Sequence, residues 1–565
     1  MRYFALATDY DGTLAEEGVV HSETVAALER FVGSGRRLVM VTGRRLDDMQ
    51  RVFSRLDLFV RVVAENGAVV YAPETRETRV LEPGPNPAFV DALRARGVPV
   101  DVGHVVVATW EPHQQAVLDA IKTLGLELHV EFNKGAVMVL PAGVTKWTGL
   151  SAALADLKLS AHNVVAVGDA ENDHSFLAAC EVAVSVANAL PAVRERSDWI
   201  TPSPRGRGVA ELIDRMVADD LKALTPRGEN TRLVLGTEPA GNPVLLDPFG
   251  TRLLLFGPSG SGKSTIATAL VENLVQKGYQ VCLVDPEGDY ESAAHLTPLG
   301  NAENAPALAE IDAVLANPAH SVAATLVAVP LHDRPRWYSS LLGRIHERRA
   351  TTGRPHWVVV DEAHHVLPVE QDVSSPPLSL TGGATLYVTV DPSSMSGPAL
   401  QEVNAVVTIA QGGAAALAAF ARRTGHEPPE VPPAENGAIF WRVGEPKALV
   451  VTIIPPRLEH MRHARKYAHG DLGEDRSFVF RGPNGSLRLK AQNLTLFVQI
   501  ATGVDDATWE YHLRRGDYSH WMNDAVKDPD LADEVRRIEA QPDTAPNESR
   551  AHVREAILKR YTLPA

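Results

Sequence analysis

Two carboxylates one residue apart, Asp9 and Asp11, follow directly on the apolar run Tyr3-Phe4-Ala5-Leu6-Ala7-Thr8. In a parallel sheet ligands bind beyond the carboxyl ends of the strands, so both side chains are predicted to project into such a crevice. One carboxylate can attack phosphorus and form an aspartyl-phosphate. The other can protonate the leaving oxygen and then activate water. Gly12 permits a tight turn behind them. Three further elements follow in order: Thr42-Gly43-Arg44 after an apolar run, Lys146 just before an amphipathic stretch, and Gly168-Asp169-Ala170-Glu171-Asn172-Asp173 after the run 164–167. Thr42 offers a hydroxyl and a backbone N–H to a phosphate, as Gly43 offers its N–H. Asp169 and Asp173 supply oxygen ligands for a hard cation. Each has a plainer reading: Thr42 as a helix cap, Lys146 as a solvated charge, and the two aspartates as capping groups. All four elements fall at predicted strand ends or helix starts of one region, which favours the chemical reading.

A second constellation begins at the predicted strand 253–256, which runs into Gly257-Pro258-Ser259-Gly260-Ser261-Gly262-Lys263-Ser264-Thr265. This is a complete Walker A loop, whose backbone N–H groups wrap phosphates at a helix N-terminus. Lys263 is expected to reach the β/γ-phosphates and Ser264 a magnesium ion. About a hundred residues on, Trp357-Val358-Val359-Val360-Asp361-Glu362 has the Walker B pattern. Asp361 is then expected near the metal, and Glu362 where it polarises the attacking water. A buried strand ending in a surface acidic pair is the alternative.

Elements that could position these residues are legible in outline. The chain has 565 residues, too many for one hydrophobic core. Residues 1–217 alternate short apolar runs with amphipathic stretches, the pattern of a parallel βαβ sheet, with an inserted cap at about 68–142. Residues 218–230 read as a linker, and 231–456 as a second α/β domain. A mostly helical segment of unassigned role occupies 457–565. A net charge of −15 weighs against a generally basic, nucleic-acid-coating surface. Cys180 and Cys282 are too few and too distant for a disulfide framework or zinc site. The start of the chain lacks the features of a signal peptide, and no apolar stretch approaches membrane-spanning length. A cytoplasmic protein without membrane partners is the expectation.

The ordered set Asp9/Asp11, Thr42, Lys146 and Asp169/Asp173 resembles the haloacid dehalogenase (HAD) superfamily, in its Cof-like branch with the cap between the second and third motifs. Glu65-Asn66-Gly67-Ala68 and Val186-Ala187-Asn188-Ala189 belong to the resemblance. It implies a Rossmann-like domain with an α+β cap and a magnesium-dependent phosphatase. Asp9 would be the nucleophile and Asp11 the general acid/base, with Thr42 and Lys146 on the phosphoryl group. Asp9, Asp169 and the main-chain carbonyl of Asp11 would bind magnesium, supported by Asp173. The size of the unit resembles archaeal-type phosphoglycolate phosphatases and sugar-phosphate phosphatases. The expected substrate is therefore a small phosphorylated metabolite, and Glu111, His113, Asn133 and Lys134 are polar candidates on the cap.

The Walker motifs sit among Leu235-Gly236-Thr237, Val284-Asp285-Pro286-Glu287-Gly288-Asp289-Tyr290 and Asp361-Glu362-Ala363-His364-His365-Val366-Leu367-Pro368. This context resembles HerA/FtsK-type ATPases, which implies ATP as ligand and a homo-oligomeric ring. A polar residue is usual in that family where Val390-Asp391-Pro392 stands. Arg422 and Arg423 are either a finger to a neighbouring subunit or a solvated helix face. The leading expectation is a phosphatase fused to an ATP-binding and hydrolysing module. The alternatives are a ring motor in nucleic-acid processing with an accessory phosphatase, and a scaffold switched by ATP. The basic–aromatic residues of the C-terminal segment, Arg462 to Tyr467 and Trp509, Tyr511, His512, Tyr518, His520 and Trp521, suit a phosphate or nucleic-acid site or a packed helical module.

Overall fold

Apolar residues on successive positions of a strand point to opposite faces, so a strand apolar at every position must be covered on both sides. The first domain obeys this. Leu6, Leu38, Met40, Val165 and Val167 are buried on one face of its sheet, and Ala5, Ala7, Val39, Val41, Val164 and Ala166 on the other. The computed structural model describes residues 1–133, 135–229, 231–258, 261–290, 293, 295–369, 383–434, 437–456, 476–483, 485, 487–526, 528–541 and 544–561.

The first sheet has eight strands, in the order Trp199–Ile200, Val182–Ser185, Val164–Gly168, Ala5–Thr8, Arg37–Val41, Phe59–Ala64, Val69–Ala72, Glu77–Val80. Its first six strands are parallel. The last two form an antiparallel hairpin on its edge. This corrects the expected start of the cap at about residue 68. Val69–Ala72 is buried at every position and pairs with Phe59–Ala64, so the hairpin extends the core sheet. The cap proper is a four-stranded antiparallel sheet, Asp101–Val102, Val107–Trp110, Ala136–Pro141, Leu128–Asn133. Helices Pro87–Ala95 and Gln114–Leu124 cover it through Phe89, Val90, Leu93, Val117 and Ala120. The helix Arg205–Asp219 closes the domain, and the residues directly after it are not free linker. Asp220 caps it in the left-handed conformation and pairs with Arg36 at 3.0 Å, and Leu221 is buried in the core.

The second domain is built on an eleven-stranded sheet. Its parallel centre runs Ala405–Ile409, Arg252–Phe256, Ala384–Thr389, Trp357–Val360, Val281–Asp285, Val322–Thr325, Thr297–Leu299. Antiparallel strands continue it past Ala405–Ile409. The two domains meet at the amino ends of their strands. His162 Nδ1 lies 2.7 Å from Glu181 Oε2, and its Nε2 lies 2.7 Å from the carbonyl of Lys277. Its ring stacks on Tyr279 at 3.7 Å, and the Tyr279 hydroxyl donates to the same glutamate. His356 accepts the Gln280 N–H at Nδ1 and donates from Nε2 to Asn163 Oδ1 at 3.1 Å. Burial drives the His356 pKa well below the usual histidine range, which keeps this tautomer neutral. The parallel strands of both sheets run away from this face, so their ligand-binding carboxyl ends lie on opposite sides of it.

A separate unit comprises residues 258–269 and 455–565. Among the described residues its C-terminal part contains five helices between Leu494 and Tyr561 and a small strand pair. Phe478, Phe480, Phe497, Trp509, Tyr518 and Trp521 form its core. His512 is also buried, whereas Tyr511 is half-buried and His520 exposed. Most of these aromatic residues therefore serve packing. Arg462 to Tyr467 lie outside the described residues. Among the described residues, no helix is long and apolar enough to cross a membrane.

Candidate functional site

Strand register brings the four motifs of the first domain together. Thr8 pairs with Val167 and Met40, so the residues just beyond these three neighbouring strands, Asp9, Asp169 and Thr42, share one sheet edge. The Asp9 N–H extends the ladder to the Val167 carbonyl at 3.0 Å. Lys146 opens the helix Lys146–Asp156, whose N-cap Thr145 forms a capping box with Thr148. This helix packs very close to the turn before the cap. Gly67 has φ +105°, and a Cβ there would meet the Thr145 carbonyl oxygen at 1.9 Å. Glu65 and Asn66, just before it, also have positive φ.

Asp9, Asp169 and Asp173 are buried, and each places a carboxylate oxygen within 4.8 Å of the others. Lys146 Nζ donates to Asp9 at 2.7 Å and to Asp173 at 2.5 Å. Asp173 also accepts the N–H groups of Asp169 and Ala170 at 2.8 and 2.9 Å, and Thr13 donates to Asp169 at 3.2 Å. Burial raises the Asp9 pKa to about 8 against the pull of Lys146, with Asp173 and Asp169 adding to the rise. Burial works against the Lys146 ammonium, but Asp173 and Asp9 outweigh it and raise its pKa. With all three carboxylates ionised, one ammonium leaves this set two charges negative, and its oxygen donors suit a hard divalent cation such as magnesium.

Asp11 is held elsewhere. Arg44 grips both its oxygens, Nε to Oδ2 at 2.6 Å and Nη2 to Oδ1 at 2.8 Å, and also holds Asp48 at 2.6 Å. Its carboxylate is therefore not among the three clustered ones. Thr42 is buried and its hydroxyl accepts the Arg44 N–H at 3.1 Å. Gly43 packs against Asn66, whose Oδ1 would lie 3.0 Å from a Cβ there.

On the cap the expected residues differ from those the fold brings to the site. Glu111 is exposed and His113 precedes the helix Gln114–Leu124. The Asn133 side chain and Lys134 lie outside the described residues. Instead Glu131 reaches the core, its Oε2 accepting from Asn66 Nδ2 at 2.6 Å, and Asn66 Oδ1 accepts from Asn172 Nδ2 at 3.1 Å. Burial raises the Glu131 pKa, with His129 and Lys146 opposing. Glu65, fully buried, accepts the N–H groups of His104, Val105 and Val106 at 2.9–3.1 Å and so ties cap to core. The alternation His129, Glu131, Asn133 along one strand was the available signal for a polar face on the cap.

In the second domain, Asp361 continues the ladder of Trp357–Val360 to the Val284 carbonyl at 3.0 Å. Burial raises its pKa to about 7, helped by Asp285, Glu362 and Asp289. Asp285 accepts the N–H groups of Glu287, Gly288 and Tyr290, which shapes the loop after its strand. Glu362 has φ +38° and lies 3.4 Å from His364 Nδ1, and the same nitrogen lies 3.2 Å from Thr389 Oγ1. The strand Ala384–Thr389 thus ends on a buried polar residue one position before the expected Val390. Arg423 donates to the carbonyls of Ser393 and Met395 at 2.9 Å. Of the phosphate loop, Gly257, Pro258, Ser261, Gly262, Lys263, Ser264 and Thr265 are described, and Ser259 and Gly260 lie outside the described residues. Lys263 opens the helix Lys263–Gln276, and its ammonium donates to the Pro258 carbonyl at 3.0 Å.

Two sequence families match the chain, and both are those its motifs resemble. The haloacid dehalogenase-like hydrolases match residues 6–104 and 101–213. The central domain of the helicase HerA matches residues 233–334. The phosphoglycolate phosphatase of Methanothermobacter thermautotrophicus is 30% identical over 220 residues, which span 38% of this chain and 98% of that protein. Phosphoglycolate phosphatase 2 of Saccharolobus solfataricus is 27% identical over 222 residues, 38% of this chain and 92% of that protein. Among solved structures, a haloacid dehalogenase-like hydrolase from Bacteroides thetaiotaomicron aligns with a TM-score of 0.35 at 20% identity, covering 38% of this chain and 99% of that one.

Proposed function

The chain belongs to the haloacid dehalogenase-like hydrolases and carries a HerA-type domain behind that module, and on this premise we propose that it is a magnesium-dependent phosphomonoesterase fused to an ATP-hydrolysing domain. The observation that carries the first half is the buried cluster of Asp9, Asp169 and Asp173 around Lys146. Asp9 attacks the phosphorus of a small organic phosphomonoester, a phosphoglycolate or sugar phosphate, and the ester oxygen leaves with a proton from Asp11. Asp11 then takes a proton from the water that hydrolyses the aspartyl-phosphate, which frees the Asp9 carboxylate and returns Asp11 to its protonated form. Lys146 and the hydroxyl of Thr42 hold the transferring phosphoryl oxygens. Asp9, Asp169 and the Asp11 carbonyl, supported by Asp173, would hold the magnesium ion, which supplies positive charge against the phosphoryl oxygens. Lys263 and Ser264 would bind the phosphates of ATP and its magnesium, and the Walker B residues Asp361 and Glu362 would support a metal and polarise water.

Phosphate release in magnesium from a panel of phosphomonoesters and from ATP tests both halves. Lys263→Ala is expected to lower ATP turnover at least about 100-fold and leave ester hydrolysis in place. Equal loss of both activities, or of neither, would refute two separate sites.

Metal removal has a pH signature. The Asp9 pKa rises from 3.8 to about 8 on folding. Its stabilising contribution is complete below the unfolded value and is lost as pH rises through the folded one. Metal-free protein is therefore expected to unfold at progressively lower temperature from pH 5 to pH 8. At pH 8, saturating magnesium is expected to raise the first-domain midpoint by about 5 °C or more. Calorimetry with EDTA and with magnesium checks this, and a midpoint indifferent to magnesium at pH 8 contradicts the metal site.

A further inference from the structure

The contact between cap and core contains a hydrogen-bond relay whose direction is set at one end by a carboxylate. Glu131 stands on the cap strand Leu128–Asn133, which approaches the turn Glu171–Asp173. An ionised carboxylate only accepts hydrogen bonds, so Asn66 must turn its NH2 group toward Glu131. That leaves the Asn66 oxygen facing Asn172, which must answer with its own NH2 group. The Asn172 oxygen is then the far end of the relay. It is buried and has no hydrogen-bond partner among the described residues. Asn172 lies in the same turn as Asp173, which holds Lys146, and Glu131 is joined to that turn through Asn66. Next to the turn that carries Asp173 the relay therefore offers acceptors: the Asn172 oxygen and the lone pairs of Glu131 that Asn66 does not use.

We propose that Glu131 is a specificity-determining residue, selecting phosphomonoesters whose alcohol part carries hydroxyl donors, as in polyol and sugar phosphates, and rejecting those with a carboxylate tail. The inference rests on the phosphatase reading above and chooses between its two substrate classes. A hydroxyl-bearing leaving group donates to Glu131 and satisfies the Asn172 oxygen. A carboxylate tail brings a like charge against a half-buried carboxylate and leaves both acceptors without a donor. The relatives named phosphoglycolate phosphatase are similar across the domain as a whole, whereas this selection is set by one cap residue.

The test is the ratio of kcat/KM for glycerol 3-phosphate to that for phosphoglycolate, measured on the full chain with magnesium. Both values come from one preparation, so the folded fraction cancels. Wild type is expected to favour glycerol 3-phosphate by at least about tenfold. Glu131→Gln should shrink that ratio at least about fivefold, and Glu131→Lys should invert it. A wild-type preference for phosphoglycolate, or a ratio unmoved by both substitutions, overturns the inference. Asp9→Asn, run in parallel, separates the two levels. Release abolished by Asp9→Asn with an unmoved ratio removes only the role of Glu131, and release that survives Asp9→Asn removes the phosphatase assignment beneath it.

Discussion

Asp9→Asn is expected to lower ester hydrolysis at least about 1,000-fold while raising the thermal midpoint of the metal-free first domain. The activity falls because an amide oxygen is a far weaker nucleophile than a carboxylate and yields no aspartyl-phosphate that water can resolve. The stability rises because Asn nearly matches Asp in shape, so Asn Oδ1 still accepts from Lys146, now 2.7 Å from Asp9 Oδ1. What disappears is one of three negative charges crowded into a buried site. The rise should be larger at pH 8 than at pH 5 and vanish only below the unfolded Asp9 value of 3.8, because metal-free wild type loses stability across the whole interval up to its folded value of about 8. Phosphate release together with calorimetry in EDTA reads both signs. Retained activity removes Asp9 as nucleophile, and a lowered midpoint at pH 8 contradicts the electrostatic account.

Lys146→Met carries the second large effect, and its sign is opposite. The methionine fills a similar volume but removes the ammonium that donates to both Asp9 and Asp173. Breaking a buried ion pair by deleting one partner costs about 3–5 kcal/mol, because the charge left behind has no compensation. The first domain is therefore expected to unfold well below the wild-type temperature in EDTA at pH 8. Magnesium should recover much of that loss, since a divalent cation among the carboxylates replaces the missing charge. Catalysis should not return with stability, because the phosphoryl oxygens lose a donor that magnesium does not replace. A metal-free midpoint equal to wild type would show that Lys146 does not compensate the cluster.

The hydrolytic motifs were legible because each is local. A strand followed by Asp9-Tyr10-Asp11-Gly12, or by Gly168-Asp169, needs only a few neighbouring residues to declare itself, and the apolar runs before them state that the sheet is covered on both faces. The phosphate loop is legible for the same reason. The apolar pattern of the hairpin Val69–Ala72/Glu77–Val80 says that it pairs but not with which edge, so the sequence alone leaves it with the cap. Thr389 was missed as the polar end of its strand because the strand stops one residue earlier than its apolar run.

By itself, then, the sequence determined which residues are candidates for phosphoryl chemistry, the order of the modules and the α/β class, all of which depend on short-range pattern. Only the tertiary structure decided that Arg44 holds both oxygens of Asp11, that Glu131 and not Glu111 or His113 reaches the core, and that His162, Glu181, Tyr279 and His356 join the two domains back to back. The physical reason is distance along the chain. Glu131 meets a residue 65 positions away and Tyr279 meets Glu181 across 98. Such contacts form where two folded surfaces happen to be complementary, and no local periodicity records them.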